Sequence, residues 1–196
     1  MGDVIADMSM SLDGFIADSE HRIDNLIGWY FNGDVEVATP NPAVTFRPSE
    51  ASAGVIRDAL ASVGAIVGGR HYFDSANGWG GQHPMGVPAF IVTHRPPPAD
   101  WPADNEAIRF VYDGVESAIE QAKAAAGDKT VALATPSVTR QAHAAGLLDG
   151  LSVNLVPVLL GDGIPWFADI SAELDGPRIV AGDGVTHLNY RVRKAG

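Results

Sequence analysis

Read from the N-terminus, Val4 to Met10 alternates loosely between apolar and polar residues and predicts a first strand. Asp13 to Pro48 is a long irregular stretch rich in Gly, Pro, Asn and aromatics. A loop of that length in a compact chain is usually functional or carries a short helix. Ser49 or Ser52 then caps a helix with Val55, Ile56, Ala59, Leu60 and Val63 on one face. Ala65-Ile66-Val67 reads as a short strand ending in Gly68-Gly69, and Ala89 to Thr93 as another, followed by the rigid break "RPPP". Ile108 to Tyr112 is the next strand. Asp113 or Gly114 opens a helix that turns Val115, Ile119 and Ala122 inward and closes at Gly127. Thr130 to Ala134 is a strand; Thr135-Pro136 reads as N-cap and first helical residue, with Gly146 as the stop. Leu151 to Leu160 is the longest predicted strand. Arg178 to Val192 is a hairpin around Gly182-Asp183-Gly184, whose second arm sets Leu188, Tyr190 and Val192 against His187, Asn189 and Arg191.

Strands alternating with helices predict an α/β fold of three layers, α/β/α, in one domain spanning residues 1–196. The sheet should be mostly parallel, with the C-terminal hairpin adding antiparallel strands at one side. In such sheets ligands bind beyond the carboxyl ends of the strands. The positions to inspect therefore follow Met10, Val67, Val92, Ala134 and Leu160.

Composition narrows the chemistry. Hydrophobic residues make up 46% of the 196 and charged residues 19%, an ordinary globular balance. There is no cysteine, which removes disulfides, thiolate metal sites and a thiol nucleophile. No apolar run reaches the length of a membrane span, and "MGDVIADMSMSLDG" lacks the basic start and apolar core of a signal peptide, so a cytoplasmic location is expected. The net charge of −11 disfavours nucleic acid and anionic lipid as partners. Against that background the two basic groupings, Arg70-His71 and His94-Arg95, suggest an anion. The six histidines show no metal-ligand spacing, and neither G-x-S-x-G nor a Walker loop is present.

Five short motifs stand at the predicted strand ends: "SLDGFIAD", "GGRHYFD", "THR", "ATPSVTRQ" and, after "AGLLDGL", "VPVLLGDG". In this order they resemble the dihydrofolate-reductase-like family, and most closely the reductase domain of riboflavin biosynthesis with its stand-alone relatives. The resemblance covers nearly the whole chain. It implies NADPH as cofactor, a small-molecule substrate of pterin, pyrimidine or carbonyl type reduced by hydride transfer, and a homodimer. A descendant that keeps the fold but only binds a nucleotide or flavin is the alternative.

On this resemblance Gly69, Arg70, His71, Thr93, His94, Arg95, Ala134, Thr135, Pro136 and Ser137 would hold the cofactor. Arg supplies a fork suited to phosphate, and a helix N-terminus favours an anion; Arg70 paired with Asp74, and His94-Arg95 as a solvated turn, are the plain alternatives. The chain departs from the family at Ala134-Thr135, where relatives carry Gly-Gly, and at Asp149-Gly150, where they carry Asp-Glu. Tyr72 stands where relatives often have Thr. The loop holding Gly161, Asp162 and Gly163 would lean on the loop after strand one, with Asp162 accepting hydrogen bonds from backbone N–H groups of residues 14–17. Asp13 is the candidate catalytic carboxylate, for substrate binding or proton supply, and a turn cap is its other reading. Trp29, Tyr30 and Phe31 either wall a flat heterocycle or plug the core edge. No metal site is expected.

Overall fold

A computed structural model describes residues 2–194. The strands are β1 (Val4–Ser11), β2 (Phe15–Ala17), β3 (Val37–Ala38), β4 (Thr45–Phe46), β5 (Val63–Gly69), β6 (Ala89–Val92), β7 (Ile108–Val111), β8 (Thr130–Leu133), β9 (Gly150–Val156), β10 (Ile164–Pro165), β11 (Leu174–Gly182) and β12 (Val185–Val192). The α-helices are α1 (Asp24–Ile27), α2 (Glu50–Ser62), α3 (Arg70–Ser75), α4 (Val115–Ala126) and α5 (Pro136–Ala144). Single 3-10 turns cover Gly28–Tyr30 and Asn77–Gly81.

Eight strands form one sheet in the order β11-β12-β9-β1-β8-β5-β6-β7. Every pairing from β9 to β7 is parallel, and the hairpin β11-β12 adds two antiparallel strands beside β9. Period-two alternation on β1 decides what each face receives. Val4 and Ala6 point into a core with Val67, Phe90, Val131 and Leu133, covered by Ile119 and Ala122 of α4 and Val138 and Ala142 of α5. On the opposite face two smaller clusters form: Leu26, Trp29, Ala53, Ile56, Val156 and Val185 in one, and Val63, Ile66, Phe73, Ala89, Ile91 and Ile108 in the other. A gap remains between them.

Two expectations change. The strand predicted to reach Leu160 ends at Val156, because Pro157 has no N–H for the ladder. The chain instead curls so that Val158 N–H reaches Val156 O at 2.8 Å and Leu12 N–H reaches Val158 O at 2.9 Å. The second change concerns His187. Its alternation with Leu188 would suit a solvent-facing side chain, yet it is 1% exposed. Both sheet faces are covered here, so a polar residue on the second face is buried beneath α2.

Candidate functional site

The gap between the two smaller clusters is a cavity of about 300 Å³. Its floor is the sheet: Asp7 from β1, Ala132 and Ala134 from the β8 end, Asn154 from β9, and Ile66 from β5. Its walls are Ile56 of α2, the aromatics Trp29, Tyr30, Phe31 and Phe46, and, across the opening, Tyr72, Trp79, His83 and Met85. Trp29 stacks on Tyr30 with ring centroids 3.8 Å apart, and its Nε1–H donates to Ser9 Oγ at 3.0 Å. The 29–31 aromatic run thus lies both at a core edge and on a cavity wall.

Asp7 is the sole charged side chain among the described residues lining this cavity. Burial raises its pKa from 3.8 to about 6, although Ser152 and Asn154 hydrogen bonds pull the other way. Asn154 Nδ2–H donates to Asp7 Oδ1 at 3.0 Å. Tyr30 and Tyr72 have hydroxyl pKa values pushed up, first by burial and then by the nearby Asp7 charge, so both stay protonated. Burial holds His83 near a pKa of about 3, hence neutral. Met85 N–H donates to His83 Nδ1 at 3.1 Å, so the ring proton sits on Nε2 and points at the Tyr72 hydroxyl, 2.8 Å away. With its oxygen already accepting, Tyr72 keeps its own O–H to donate. The cavity therefore offers one acid of tunable charge and hydroxyl donors on aromatic walls.

Sequence reasoning passed over Asp7, Asn154, His83 and His187. The available signal was polarity inside strands covered on both faces: Asp7 in "VIADMSM" and Asn154 in "SVNLV".

Asp13, the carboxylate singled out from sequence, stands elsewhere. It is exposed, at the corner after β1, and is absent from the cavity lining. Its carboxylate accepts from Ser11 Oγ–H at 2.6 Å, Leu160 N–H at 3.2 Å and Gly161 N–H at 2.8 Å. The Ser11 bond above all, then the Gly161 amide, lowers its pKa, which suits a fixed anion and not a proton donor. The 161–163 loop does lean on the loop after β1: β10 pairs with β2, and Trp166 N–H donates to Gly14 O at 3.1 Å. A Cβ on Gly163 would lie 2.1 Å from Ala17 O, so glycine is obligatory at that crossing. The expected polarity is reversed, however. Asp162 accepts from its neighbour Gly163 at 2.8 Å, while Asp13 reaches across to the amides of Leu160 and Gly161.

The cofactor candidates divide. Gly69 ends β5, and the space beside its Cα looks onto Thr135 Oγ1 and Ser137 Oγ, 3.5 and 3.7 Å from an added Cβ. Pro136 starts α5, whose first intrahelical bond runs from Thr139 N–H to Thr135 O, 2.9 Å. Earlier amides of that turn have no helical acceptor. Thr135 Oγ1 is buried with no hydrogen-bond partner, the one such side-chain atom among the described residues. An unpartnered hydroxyl beside a bare glycine and a helix N-terminus fits the pyrophosphate of a dinucleotide. Ala134, by contrast, lines the cavity.

Of the basic candidates, Arg70 is an internal strut: Nε–H donates to Asp74 Oδ1 at 2.7 Å and Nη1–H to Pro96 O at 2.7 Å, and its guanidinium lies 5.7 Å from the Phe73 ring centre. That geometry is the Asp74 pairing given as the plain alternative to a phosphate ligand. Arg95 is 64% exposed, paired with Asp74 at 2.9 Å, and Thr93 Oγ1 accepts from Arg95 N–H at 3.0 Å. His94 is exposed beside it, and His71 is exposed with its ring 4.9 Å from that of His21. Gly150 cannot take a side chain: a Cβ there would meet Tyr190 O at 2.5 Å.

No family model matches the chain, and no curated protein matches it. Solved structures do. A protein from Shewanella sp. PV-4 assigned to riboflavin biosynthesis aligns over 98% of this chain and 99% of its own, with a TM-score of 0.71 and 18% identity. The chain has the dihydrofolate-reductase-like fold. Dihydrofolate reductase from Enterococcus faecalis, solved with NADP(H), aligns over 98% of both chains with a TM-score of 0.56 and 14% identity. A deaminase/reductase from Thermotoga maritima acting on pyrimidine intermediates aligns over 98% of this chain but 57% of its own, with a TM-score of 0.63 and 11% identity. Among the described residues no helix is long and apolar enough to cross a membrane.

Proposed function

We propose that this chain, as one catalytic unit over residues 1–196, is an NADPH-dependent reductase of a small, flat substrate bearing a C=N or C=O bond, of the pterin, pyrimidine or carbonyl type. The observation that carries the reading is Asp7, the one charged side chain among the described residues lining an aromatic-walled cavity, with the Gly69–Thr135–Ser137 cradle at the ends of β5 and β8. When bound, NADPH supplies the hydride. Thr135, Ser137 and the first amides of α5 would hold its pyrophosphate, and Arg95 with His94 and Thr93 a further phosphate. Tyr72 and Tyr30 orient the substrate through their hydroxyls. Asp7, at a pKa of about 6, gives the proton that the reduced nitrogen or oxygen requires, in place of Asp13. Asp13 and the 161–163 corner brace the loop that covers the site.

Two measurements test this. Nicotinamide fluorescence on titration should reveal binding, tighter for NADPH than for NADH. Loss of reduced-nicotinamide absorbance with dihydropteridines, aminopyrimidinediones and small ketones should then reveal turnover. Binding without turnover across that panel favours the non-catalytic descendant. Absence of NADPH binding removes the reductase reading.

A further inference from the structure

Behind Asp7 lies a line of buried polar groups on three separate elements. Ser49 Oγ–H, at the N-cap of α2, donates to Ser52 Oγ at 3.3 Å. Ser52 Oγ lies 2.9 Å from His187 Nε2, His187 Nδ1 lies 2.7 Å from Asn154 Oδ1, and Asn154 Nδ2–H donates to Asp7 Oδ1. Ser52, Asn154 and His187 are 0%, 4% and 1% exposed. The partners leave one consistent assignment of protons. Asn154 uses its NH₂ on Asp7, so its carbonyl must accept from His187 Nδ1–H. His187 is then the Nδ1–H tautomer, and its Nε2 must accept from Ser52. Every hydrogen in the line points toward the carboxylate. His187 sits directly opposite Asn154 in the β12–β9 register, and the Trp29 ring meets its edge at 4.9 Å. Gly182 makes room for the outer contact, since a Cβ there would lie 2.3 Å from Ser52 Oγ.

We propose that His187, oriented by Ser52, is a positioning residue for Asp7: it locks the Asn154 amide so that its NH₂ binds Asp7 Oδ1 and leaves Oδ2 as the atom that takes and returns a proton at the cavity. Without the His187 N–H, the Asn154 amide is free to flip and set its oxygen against the carboxylate. The proposal rests on the proton-supplying role of Asp7, but its test does not need a substrate. The groups facing Asp7 are Ser152 and Asn154 from β9, Tyr30 from the 3-10 turn, Tyr72 from α3 and His83 from the loop after Asn77–Gly81; none carries a positive charge, so the line from His187 is its polar support on the hairpin side.

The experiment is a pH titration of Asp7, followed by carboxyl infrared absorption or by carbon NMR of isotope-labelled aspartate. The Asp7 signal is assigned by its loss in Asp7→Asn. In the intact protein, His187→Phe keeps a buried ring and removes the N–H, and Ser52→Ala removes the outer donor. The Asp7 midpoint should rise in both, by roughly tenfold in proton affinity for His187→Phe and less for Ser52→Ala. His187→Asn, which retains a donor, should return part of the difference. An Asp7 midpoint unmoved by His187→Phe in a folded protein overturns the proposal, as does an equal shift in all three variants. Should His187→Phe fail to fold, Ser52→Ala and Gly182→Ala carry the same test from outside the ring. A shifted midpoint in a protein that reduces nothing would sustain the positioning role while removing the reductase reading.

Discussion

Replacing Asp7 by asparagine keeps the shape of the side chain and removes its charge. The carboxyl titrates near 3.8 when exposed and near 6 in the fold. Below pH 3.8 both states hold the proton, and the group costs nothing. Between the two values the folded state retains a proton that the unfolded state has lost, so stability falls as pH rises. Above about 6 the full cost is present, at most about 3 kcal/mol at about 1.4 kcal/mol per pH unit. Asp7→Asn should therefore be more stable than the parent at neutral pH, with an advantage on the order of 1 kcal/mol larger at about pH 8 than at about pH 5. Paired urea denaturations at the two pH values measure it, because titrations elsewhere cancel in the difference. The same variant should lose turnover by about 10²–10⁴-fold if Asp7 supplies the proton. Gain of stability with loss of activity is the signature of a charge kept at a cost for function. An advantage that is absent, or that shrinks toward high pH, would refute the claim that the cavity raises this carboxyl.

Three further outcomes follow from the loops. Thr135→Val removes a hydroxyl without a partner, and the N-cap makes no side-chain bond that would be lost; thermal melts should show the free protein unchanged or up to about 1 kcal/mol more stable, with NADPH affinity several-fold weaker by fluorescence. Arg95→Ala should narrow the preference for NADPH over NADH, an Arg–phosphate contact being worth roughly 1.5–3 kcal/mol, whereas Arg70→Ala should lower the melting temperature and leave that preference intact. Asp13→Ala should speed hydrogen exchange at the Leu160 and Gly161 amides and loosen cofactor retention, while Asp162→Ala, which frees only the Gly163 amide, should change neither. Because the Asp13 pKa is lowered, its hold on those amides is complete above the ordinary carboxylate range and is lost only as pH falls below that range, through the lowered folded-state pKa.

The layers and the mostly parallel main sheet with its antiparallel hairpin were legible because they follow from periodicity and from punctuation by Gly and Pro. Thr135-Pro136 marked the start of α5, and the Gly182–Gly184 turn marked the hairpin, each by a local rule that tertiary structure left alone. Misreadings arose where a residue has two neighbours that chain order does not reveal. Pro157 was absorbed into an apolar run because hydropathy does not register a missing N–H. For Arg70 the Asp74 partner, four residues on, was legible as an alternative, whereas the Pro96 carbonyl, 26 residues away, was not.

The site itself was harder to read for a related reason. A strand-end rule directs attention to loops, and it led to Asp13, which caps a turn and ties two loops together. Asp7 lies within β1, where a sheet covered on both faces should have no charge. That conflict with the local environment is itself the strongest functional signal in the chain. A carboxylate facing a helix layer must be either paired with a cation or left in a cavity that tolerates both its protonation states. Among the described residues no cation lines this cavity, and the neighbours that meet Asp7 are an amide and hydroxyls, so the second case holds. Such an arrangement lowers stability at neutral pH and is of use to a protein that moves a proton there.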